Sequence, residues 1–580
     1  MAALRVWAPK AERVRVVYDG DERDLIPEPG DAAGADMSSG WWRLPAGGPA
    51  PGTDYRFRLD DGEPLPDPRS RWQPAGVHGP SRVYDDDSFP WTDQAWTGRA
   101  LPGAVIYELH VGTFTPGASF DSAIERLDHL VELGITHVEL LPVASFNGVW
   151  NWGYDGVDWY APHEAYGGPD GLKRFVDAAH ARGLAVVLDV VYNHLGPSGN
   201  VLPRYGPYLK TGRNTWGDLV NVEEPAVRGF IIDNALMWLR DFHLDGLRLD
   251  AVHALVDSSP THILTELAAA VDALAAGVRR PLTLIAESDL NDATMVSARE
   301  AGGVGMTAQW NDDVHHALHA LLTGERQGYY DDFGSLSCLR KVFTRAFFHD
   351  GTYSTFRRRR HGRPVDRSTM PGYRFVVCLQ NHDQVGNRAV GDRLPELTSR
   401  ARLEIGAVLL LSSPFTPMLW MGEEWAARTR WPFFTSHPEP ELAEATGRGR
   451  LAEFADHGWD TSQMIDPQDP AAYRAAVLDW DEPRHGEHAA MLELYRRLIR
   501  LRREFPELAD PRLDHVTVEI DDANDTVTLH RGGLRVLVNL GAAPADFAVP
   551  ARETLLATGA VETEGGRTTL GPQVAAIVRR

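Results

Sequence analysis

The pattern of hydrophobic and polar positions changes twice along the chain. Residues 1–90 are rich in Gly, Pro and Asp and contain short alternating runs such as Arg13–Tyr18 and Asp54–Leu59. Alternation between frequent turn signals is typical of a small β-sandwich, which we predict for residues 1–90. The polar segment Asp86–Arg99 has the composition of a linker.

From Ala104 onward the pattern becomes apolar strand, loop and amphipathic helix, repeated. Eight apolar runs begin in order at Ala104, His137, Ala185, Gly246, Leu282, Met306, Phe375 and Pro417. The helical patterns are Phe120–Leu133, Leu172–Arg182, Ala226–Phe242, Thr261–Val278, Arg400–Leu411 and, at the end, Ala489–Phe505. Continuously apolar strands that alternate with helices indicate parallel strands buried on both faces. We therefore predict a (β/α)8 TIM barrel over residues 91–507.

Two further segments complete the predicted organisation. A long insertion, residues 323–372, lies between the sixth and seventh strands, and its run Arg357–His361 favours a solvated loop. After Pro506, short alternating runs return at Val516–Ile520, Thr526–Arg531, Arg535–Asn539 and Thr569–Val578. A second β-sandwich is predicted for residues 508–580.

Composition excludes several classes of function. The 580 residues carry a formal net charge of −23, which disfavours binding to nucleic acid or to an anionic membrane surface. The two cysteines, Cys338 and Cys378, are too few for a disulfide framework or a four-ligand zinc site, and free thiols suit a reducing compartment. No run reaches the length of a signal peptide or a membrane span. We expect a cytoplasmic protein that acts on a neutral partner.

Polar side chains collect at the carboxyl ends of the predicted strands, which line one mouth in a parallel barrel. From the third strand to the eighth they are Asp189, Asn193, His194, Arg248, Asp250, Glu287, Trp310, Asn311, Asp312, Asn381, His382, Asp383, Glu423 and Glu424. Arg248 and Asp250 share one face of a strand, and alone they fit a structural ion pair as well as a catalytic one. Several carboxylates in one cavity resist joint ionisation, so at least one pKa should rise. An ionised carboxylate beside an arginine, with a protonated acid nearby, is what glycosidic bond cleavage requires.

Aromatic residues follow the second strand. Trp150, Trp152 and Tyr154 lie among Asn, Gly and Asp, which do not build cores, so we expect their ring faces to meet sugar. Trp159 and Tyr160, a few residues later, are expected in the core.

Four segments, DVVYNH, GLRLDAVH, IAES and QNHDQ, resemble the signature blocks of the α-amylase superfamily (glycoside hydrolase family 13) in order and spacing. Longer segments resemble the maltooligosyltrehalose trehalohydrolases of that superfamily: LLPVASFNGVWNWGYDGVDWYAPHEAYGGPDGLKRFVDAAHARGL, NHLGPSGN, QNHDQVGNR, and MGEEW followed by FFTSH. The resemblance covers essentially the whole chain and implies that the first sandwich is of the E-set-like, carbohydrate-binding type. Residues Ala427–Arg430 depart from the family pattern, so contacts beyond the cleavage point are not carried over there.

The resemblance implies a retaining hydrolase that cleaves the α-1,4 bond next to the terminal trehalose of a maltooligosyltrehalose and releases trehalose. Asp250 would be the nucleophile, Glu287 the general acid and base, and Asp383 the group that stabilises the transition state. Substrate contacts would come from Tyr154, Trp150, Trp152, His194, Arg248, His253, Trp310, Asn311, Asp312, His382, Gln384, Asn387 and Glu424.

The resemblance implies no cofactor and no metal, although Asn193 lies where calcium-dependent relatives place a ligand. A maltooligosyltrehalose synthase is the expected functional partner. Two alternatives stay open. A glycogen branching or debranching enzyme of the same superfamily would differ in its products, and an inactive amylase-like binding subunit would have lost at least one of the three carboxylates, all of which are present.

Overall fold

A closed barrel of eight strands forms the centre of the computed structural model, which describes residues 4–29, 38–45, 47–456 and 463–580. Its strands are β1 (Ile106–Leu109), β2 (His137–Leu140), β3 (Ala185–Val190), β4 (Gly246–Leu249), β5 (Thr283–Ala286), β6 (Ala308–Trp310), β7 (Phe375–Cys378) and β8 (Thr416–Trp420). Every neighbouring pair is parallel, including the pair of β8 with β1 that closes the barrel. The predicted (β/α)8 fold is confirmed.

Helices surround the barrel close to their predicted positions. Their bounds are Phe120–Ile124, Leu127–Leu133, Gly168–Ala181, Pro225–Asp241, Ile263–Val278, Asp312–Thr323, Arg400–Ser412 and Gly486–Glu504. The single helix predicted over Phe120–Leu133 is instead two short helices. Ser119 closes a capping box on the first, and Gly134 ends the second in a left-handed conformation, with φ of 101°. No helix in the described part of the chain is long and apolar enough to cross a membrane.

Side chains along each barrel strand alternate between the surrounding helices and the barrel interior. On β4, Leu247 and Leu249 pack in the main hydrophobic core, whereas Arg248 between them is buried inside the barrel. One interior layer is apolar and contains Ile106, Val187, Ile285, Ala308, Val376 and Met418. Charged groups above this layer therefore lie in a closed, poorly hydrated space beneath the mouth.

Flanking β-sheets lie on both sides of the barrel in sequence. Before it, Arg5–Trp7, Ser38–Arg43 and Ile26–Pro29 form one sheet, and Asp21–Asp24, Val14–Tyr18, Asp54–Leu59 and Ser81–Arg82 form another. After it, the sheets are Thr517–Asp521, Thr526–Arg531, Leu534–Asn539, Val574–Arg579 and Glu553–Ala557, then Ala545–Phe547, Arg567–Leu570 and Val561–Glu564. The run predicted as one strand over Thr569–Val578 is divided, because Gln573 takes a left-handed conformation. The boundaries 1–90, 91–507 and 508–580 stay predictions.

The insertion over residues 323–372 is folded, so its interpretation as a solvated loop was wrong. It contains the helix Leu336–Arg345 and a hairpin of Thr352–Ser354 with Arg359–His361. Leu339, Val342 and Phe343 of this helix are buried in the main core. The run of arginines misled the prediction because it lies on the exposed hairpin, while the apolar helix before it anchors the segment.

The segment predicted as a linker, Asp86–Arg99, is tied to the amino end of the barrel. Trp96 stacks on His180 with ring centroids 4.5 Å apart and donates its indole N–H to Asp245 at 2.8 Å. The linker therefore packs as part of the barrel.

Asp245, just before β4, is the centre of this contact. Its buried carboxylate also accepts hydrogen bonds from His180, Arg280 and the backbone N–H of Val186. Burial alone would lower the pKa of His180. The carboxylates of Asp245 and Asp93 have a larger effect in the opposite direction, so the pKa lies above its ordinary value. One carboxylate thus joins the linker, two helical regions and β3.

We expect Asp245→Ala to lower the free energy of unfolding by about 3–5 kcal/mol, because it leaves His180 and Arg280 buried without their counter-charge. Urea unfolding followed by tryptophan fluorescence measures the change. The matched control is Asp272→Ala, which removes a pair with Arg299 whose carboxylate side is 64% exposed and should change stability by less than about 1 kcal/mol. Equal effects of the two substitutions would show that Asp245 has no special role.

Candidate active site

One guanidinium lies among three carboxylates at the mouth of the barrel. Nη1 of Arg248 is 2.8 Å from Asp250 Oδ1 and 2.8 Å from Asp189 Oδ2, and Nη2 is 3.2 Å from Glu287 Oε2. The guanidinium also lies 4.1 Å above the ring of Trp310, which is buried inside the barrel. The pair of Arg248 and Asp250 predicted from the sequence is therefore part of a larger cluster that also contains Glu287, the predicted general acid.

Asp250 and Glu287 stand side by side. In the register of β4 with β5, Leu249 pairs with Ala286, so the two carboxylates come from the next position on each strand. Neighbouring strands lie about 4.8 Å apart. Side chains from adjacent strand ends can reach the short carboxyl separation of retaining glycosidases, about 5–5.5 Å, which is the separation we expect for Asp250 and Glu287.

Local backbone geometry holds each of these two groups. Asn193 donates from Nδ2 to Asp250 Oδ2 at 2.7 Å, so this asparagine orients the carboxylate. Ala251 has a left-handed conformation, φ 40°, and its N–H donates to Glu287 Oε2 at 2.6 Å. A non-glycine residue in this region is strained, and the strain aims the N–H at the acid.

Asp383 and Asp312 complete the acidic cluster. Asp383 lies in the first turn of a short helix, His382–Gly386, which is capped by the Asn381 side chain. Burial raises the pKa of Asp312 to about 7, and the charges of Glu287 and Asp383 add to the effect. This agrees with the expectation that one carboxyl group in the cavity stays protonated more readily than the others.

Tyr154 and two histidines form one wall. The Tyr154 hydroxyl donates to Asp189 Oδ2 at 2.6 Å, and its ring stacks on His382 with centroids 5.2 Å apart. Nε2 of His194 lies 2.9 Å from the carbonyl oxygen of Tyr154. The structure therefore brings these three predicted residues together beside the carboxylates.

The two predicted tryptophans differ from expectation. Trp152 is buried and stacks on Trp431, with centroids 4.5 Å apart, and its indole N–H donates to the carbonyl of Pro432. Trp150 is half-buried and stacks on Tyr473. One face of each ring is thus covered by protein, and Trp152 supports the wall more than it offers a free face.

Asn311 and Glu424 correct the prediction of substrate contact. Asn311 caps the helix Asp312–Thr323 and donates to the carbonyl of Ala346. Glu424 is fully buried against the Tyr107 hydroxyl and Nε2 of His129. Their polar atoms are satisfied inside the protein, so both are structural.

Three remaining predicted residues lie where a ligand can reach them. His253 is exposed in the turn after Asp250, and Gln384 and Asn387 are half-buried beside Asp383. Asn387 donates to Asp383 Oδ1 at 3.3 Å. Trp159 and Tyr160 are buried, as expected.

Sequence reasoning missed residues that loops bring to the mouth. Trp216 is 48% exposed and stacks on His194 with centroids 5.8 Å apart. Tyr329, from the insertion, has its pKa raised to about 12 by burial, with a contribution from the negative charges of Asp383 and Asp312. Neither lies in a strand-end motif, and the aromatic character of Gly328–Tyr330 was the only available signal.

No group of three or more His, Cys, Asp or Glu side chains that could hold a metal ion occurs among the described residues. The carboxylates at the mouth are instead paired with Arg248, Asn193 and backbone N–H groups.

Comparison with known proteins places this site in a family. The model of the α-amylase catalytic domain matches residues 119–204, and that of a domain of unknown function, DUF3459, matches residues 511–577. A malto-oligosyltrehalose trehalohydrolase of Arthrobacter ramosus is 56% identical over 99% of both chains. One from Saccharolobus solfataricus is 40% identical over 87% of this chain and 85% of its own. A crystal structure from Salmonella typhimurium, provisionally named an α-amylase, has a TM-score of 0.90 and 37% identity over 99% of this chain and 97% of its own. The chain belongs to the malto-oligosyltrehalose trehalohydrolase family.

Proposed function

We propose that this protein hydrolyses the α-1,4-glucosidic bond next to the terminal trehalose of a maltooligosyltrehalose, with retention of configuration. The observation that carries the proposal is the pair of in-register carboxylates on β4 and β5, Asp250 and Glu287, gathered around Arg248. Its near full-length relatives that carry the trehalohydrolase name support the choice of substrate.

In the first step, a carboxylate oxygen of Asp250 attacks the anomeric carbon of the glucose on the non-reducing side of the bond. The bond from that carbon to the trehalose oxygen breaks, and Glu287 gives its proton to the leaving oxygen. Trehalose departs, and a covalent glycosyl ester remains on Asp250. Nη1 of Arg248 donates a hydrogen bond to Asp250 Oδ1 at 2.8 Å and so fixes the position of the nucleophile before attack.

In the second step, Glu287 takes a proton from water, and the water oxygen attacks the same carbon from the face that trehalose left. The ester bond breaks, Asp250 regains its charge, and a malto-oligosaccharide is released. Asp383 supplies negative charge near the developing oxocarbenium ion, while Tyr154 and His382 form the wall against which that sugar lies.

Selectivity for the trehalose end requires groups beyond the broken bond that trehalose satisfies better than maltose. Asp312 is suited to this, since its half-buried carboxyl group has no hydrogen-bonding partner within the described ranges and lies near Glu287 and Asp383. With a pKa of about 7, it can donate a hydrogen bond to a sugar hydroxyl near neutral pH.

A branching or debranching activity is the alternative within the superfamily, and incubation with glycogen or amylose distinguishes it by gain or loss of α-1,6 branches.

We also propose a cytoplasmic location and a maltooligosyltrehalose synthase as functional partner. The two free cysteines, both buried, are compatible with a reducing compartment, and the substrate needs an enzyme that forms its 1,1-linkage.

Asp250→Asn should lower kcat by on the order of 10⁴-fold or more while keeping the fold, because the amide preserves volume but cannot form the glycosyl ester. Release of trehalose from maltotriosyltrehalose measures the loss, and circular dichroism checks the fold. Asp272→Asn, at an exposed helix position whose carboxylate pairs with Arg299, is the control. Near-normal turnover by Asp250→Asn would remove it from the role of nucleophile.

The malto-oligosaccharide should first appear as its α-anomer, because two displacements at one carbon restore the original configuration. Proton NMR during the first minutes of reaction, before mutarotation, measures the anomer. A first-formed β-anomer contradicts the retaining mechanism and the role given to Asp250.

Asp312→Asn should lower the ratio of kcat/KM for maltotriosyltrehalose over maltopentaose by at least about tenfold, or about 1.4 kcal/mol. The amide N–H of asparagine donates a weaker hydrogen bond to the trehalose hydroxyls than the O–H of a carboxylic acid, and the amide cannot take the ionised form of the carboxyl group. Glu424→Gln is the matched control, since Glu424 is buried away from the mouth and should change both substrates alike. Equal losses on the two substrates in Asp312→Asn would mean that trehalose is recognised elsewhere.

A further inference from the structure

A line of hydrogen bonds crosses the barrel interior from β1 to β4. Oε1 of Glu108 lies 2.5 Å from Nδ1 of His382, and Oε2 accepts the backbone N–H of the same histidine at 3.2 Å. Nε2 of His382 is 2.8 Å from the Tyr154 hydroxyl, which donates to Asp189 at 2.6 Å. Asp189 in turn accepts from Nη1 of Arg248. Glu108 belongs to none of the motifs that identified the site.

The protons along this line can be counted. Burial raises the pKa of Asp189 to about 7, but both of its oxygens face Nη1 of Arg248, at 2.9 and 2.8 Å, an arrangement that favours the ionised carboxylate as acceptor above that pH. The single hydroxyl proton of Tyr154 is then used on Asp189, so Nε2 of His382 must donate to the phenol oxygen. Nδ1 faces a carboxylate and must also donate. Both ring nitrogens carry a proton only in the imidazolium form.

We propose that Glu108 is a positioning residue that keeps His382 in its doubly protonated form, and that this cation fixes Tyr154 and, through Asp189 and Arg248, the nucleophile Asp250. The functional part of the inference rests on the roles proposed above for Tyr154 and Asp250. The protonation of His382 is measurable without any turnover, so the two can fail separately.

The surroundings of His382 favour a cation. Burial by itself lowers the pKa of His382, but the charges of Asp383 and Glu108 raise it to about 9. Aromatic rings lie around the imidazole at centroid distances of 5.2 to 6.4 Å, and the ring of Tyr154, stacked at an interplanar angle of 20°, offers its face to a cation. The rings are those of Trp152, Tyr154, Trp310, Trp420 and Trp431.

Other titratable groups face the same imidazole. They are Arg248, which opposes the positive charge, and Asp189, Glu139, Tyr154 and His110. Glu139, on β2 beside Glu108, has its pKa raised well above the ordinary value by burial and by the charge of Glu108. Glu108 hydrogen-bonds His382 through both carboxylate oxygens, whereas Glu139 makes no hydrogen bond to that histidine within the described residues, which makes Glu139 a natural control.

Nitrogen-15 NMR of the full chain with labelled histidine tests the first part, with His382→Asn to assign the signals. We expect two protonated ring nitrogens in His382 from pH 6 to about pH 9 in the wild-type protein. In Glu108→Gln the midpoint should fall by at least about one unit, whereas Glu139→Gln, which keeps the contact between Glu108 and His382, should leave it nearly in place. A neutral His382 at pH 7 in the wild-type protein, or an unchanged midpoint in Glu108→Gln, overturns the proposal, and the wild-type spectrum decides even if a variant does not fold.

The second part is tested with α-maltotriosyl fluoride, because fluoride leaves without a proton from Glu287 and the alkaline limb then does not report that acid. In Glu108→Gln, kcat/KM at pH 8 relative to pH 6 should fall at least about twofold against the wild-type ratio, mainly through kcat, because a midpoint lowered by one unit from about 9 leaves about half of His382 protonated at pH 8. Glu139→Gln should keep the wild-type ratio. An unchanged profile together with a shifted His382 midpoint would show that the charge does not position the reacting groups. Absence of any turnover of maltotriosyltrehalose by the wild-type protein would instead refute the proposed function and leave the NMR result standing.

Discussion

The arrangement depends on a single charge that cannot be removed, the guanidinium of Arg248 inside the barrel. A buried cation of this kind is tolerated only with counter-charges close by, since an uncompensated one costs several kcal/mol. Asp189, Asp250 and Glu287 supply them from three neighbouring strands. Conversely, these carboxylates depend on the arginine, because like charges this close would otherwise force one another to take up protons. Stability and chemical activity therefore rest on the same contacts.

The barrel strands fix the positions of the catalytic groups, and the loops at the mouth determine substrate preference. Strand register sets Asp250 beside Glu287, and the strained backbone at Ala251 aims an N–H at the acid. Aromatic stacking holds the opposite wall, where Trp152 and Trp431 lie behind His382. The loop that carries Trp216 and the folded insertion that carries Tyr329 reach the same mouth, so substrate preference can change there without disturbing the strands.

How much the sequence could predict follows from the range of the interactions involved. The spacing and order of the apolar runs were enough to predict the eight strands, because that signal is local. The polar residues at strand ends, which are an equally local signal, led to the assignment of Asp250, Glu287 and Asp383, and that assignment stays a prediction. Glu424 and Asn311 were misplaced because identical residue types serve as buried partners or as ligands, and only contacts with Tyr107, His129 and Ala346 distinguish the two. The insertion was misjudged because its charged hairpin is more conspicuous than the helix Leu336–Arg345 that packs it. Glu108 gave no signal, since its partner lies 274 residues away.

The carboxylate of Asp245 has a consequence for how the chain folds. Its donors, Trp96, His180, Val186 and Arg280, span most of the first half of the barrel, and the contact with Trp96 closes a loop of 149 residues. During synthesis, which proceeds from the amino terminus, Trp96 and His180 leave the ribosome well before Asp245 and Arg280. The amino end of the growing barrel therefore stays unsealed until β4 and the helix after it have emerged. Closure entropy over such a distance makes this a late and slow event, so the nascent half-barrel is the stage at which the chain most needs protection from aggregation.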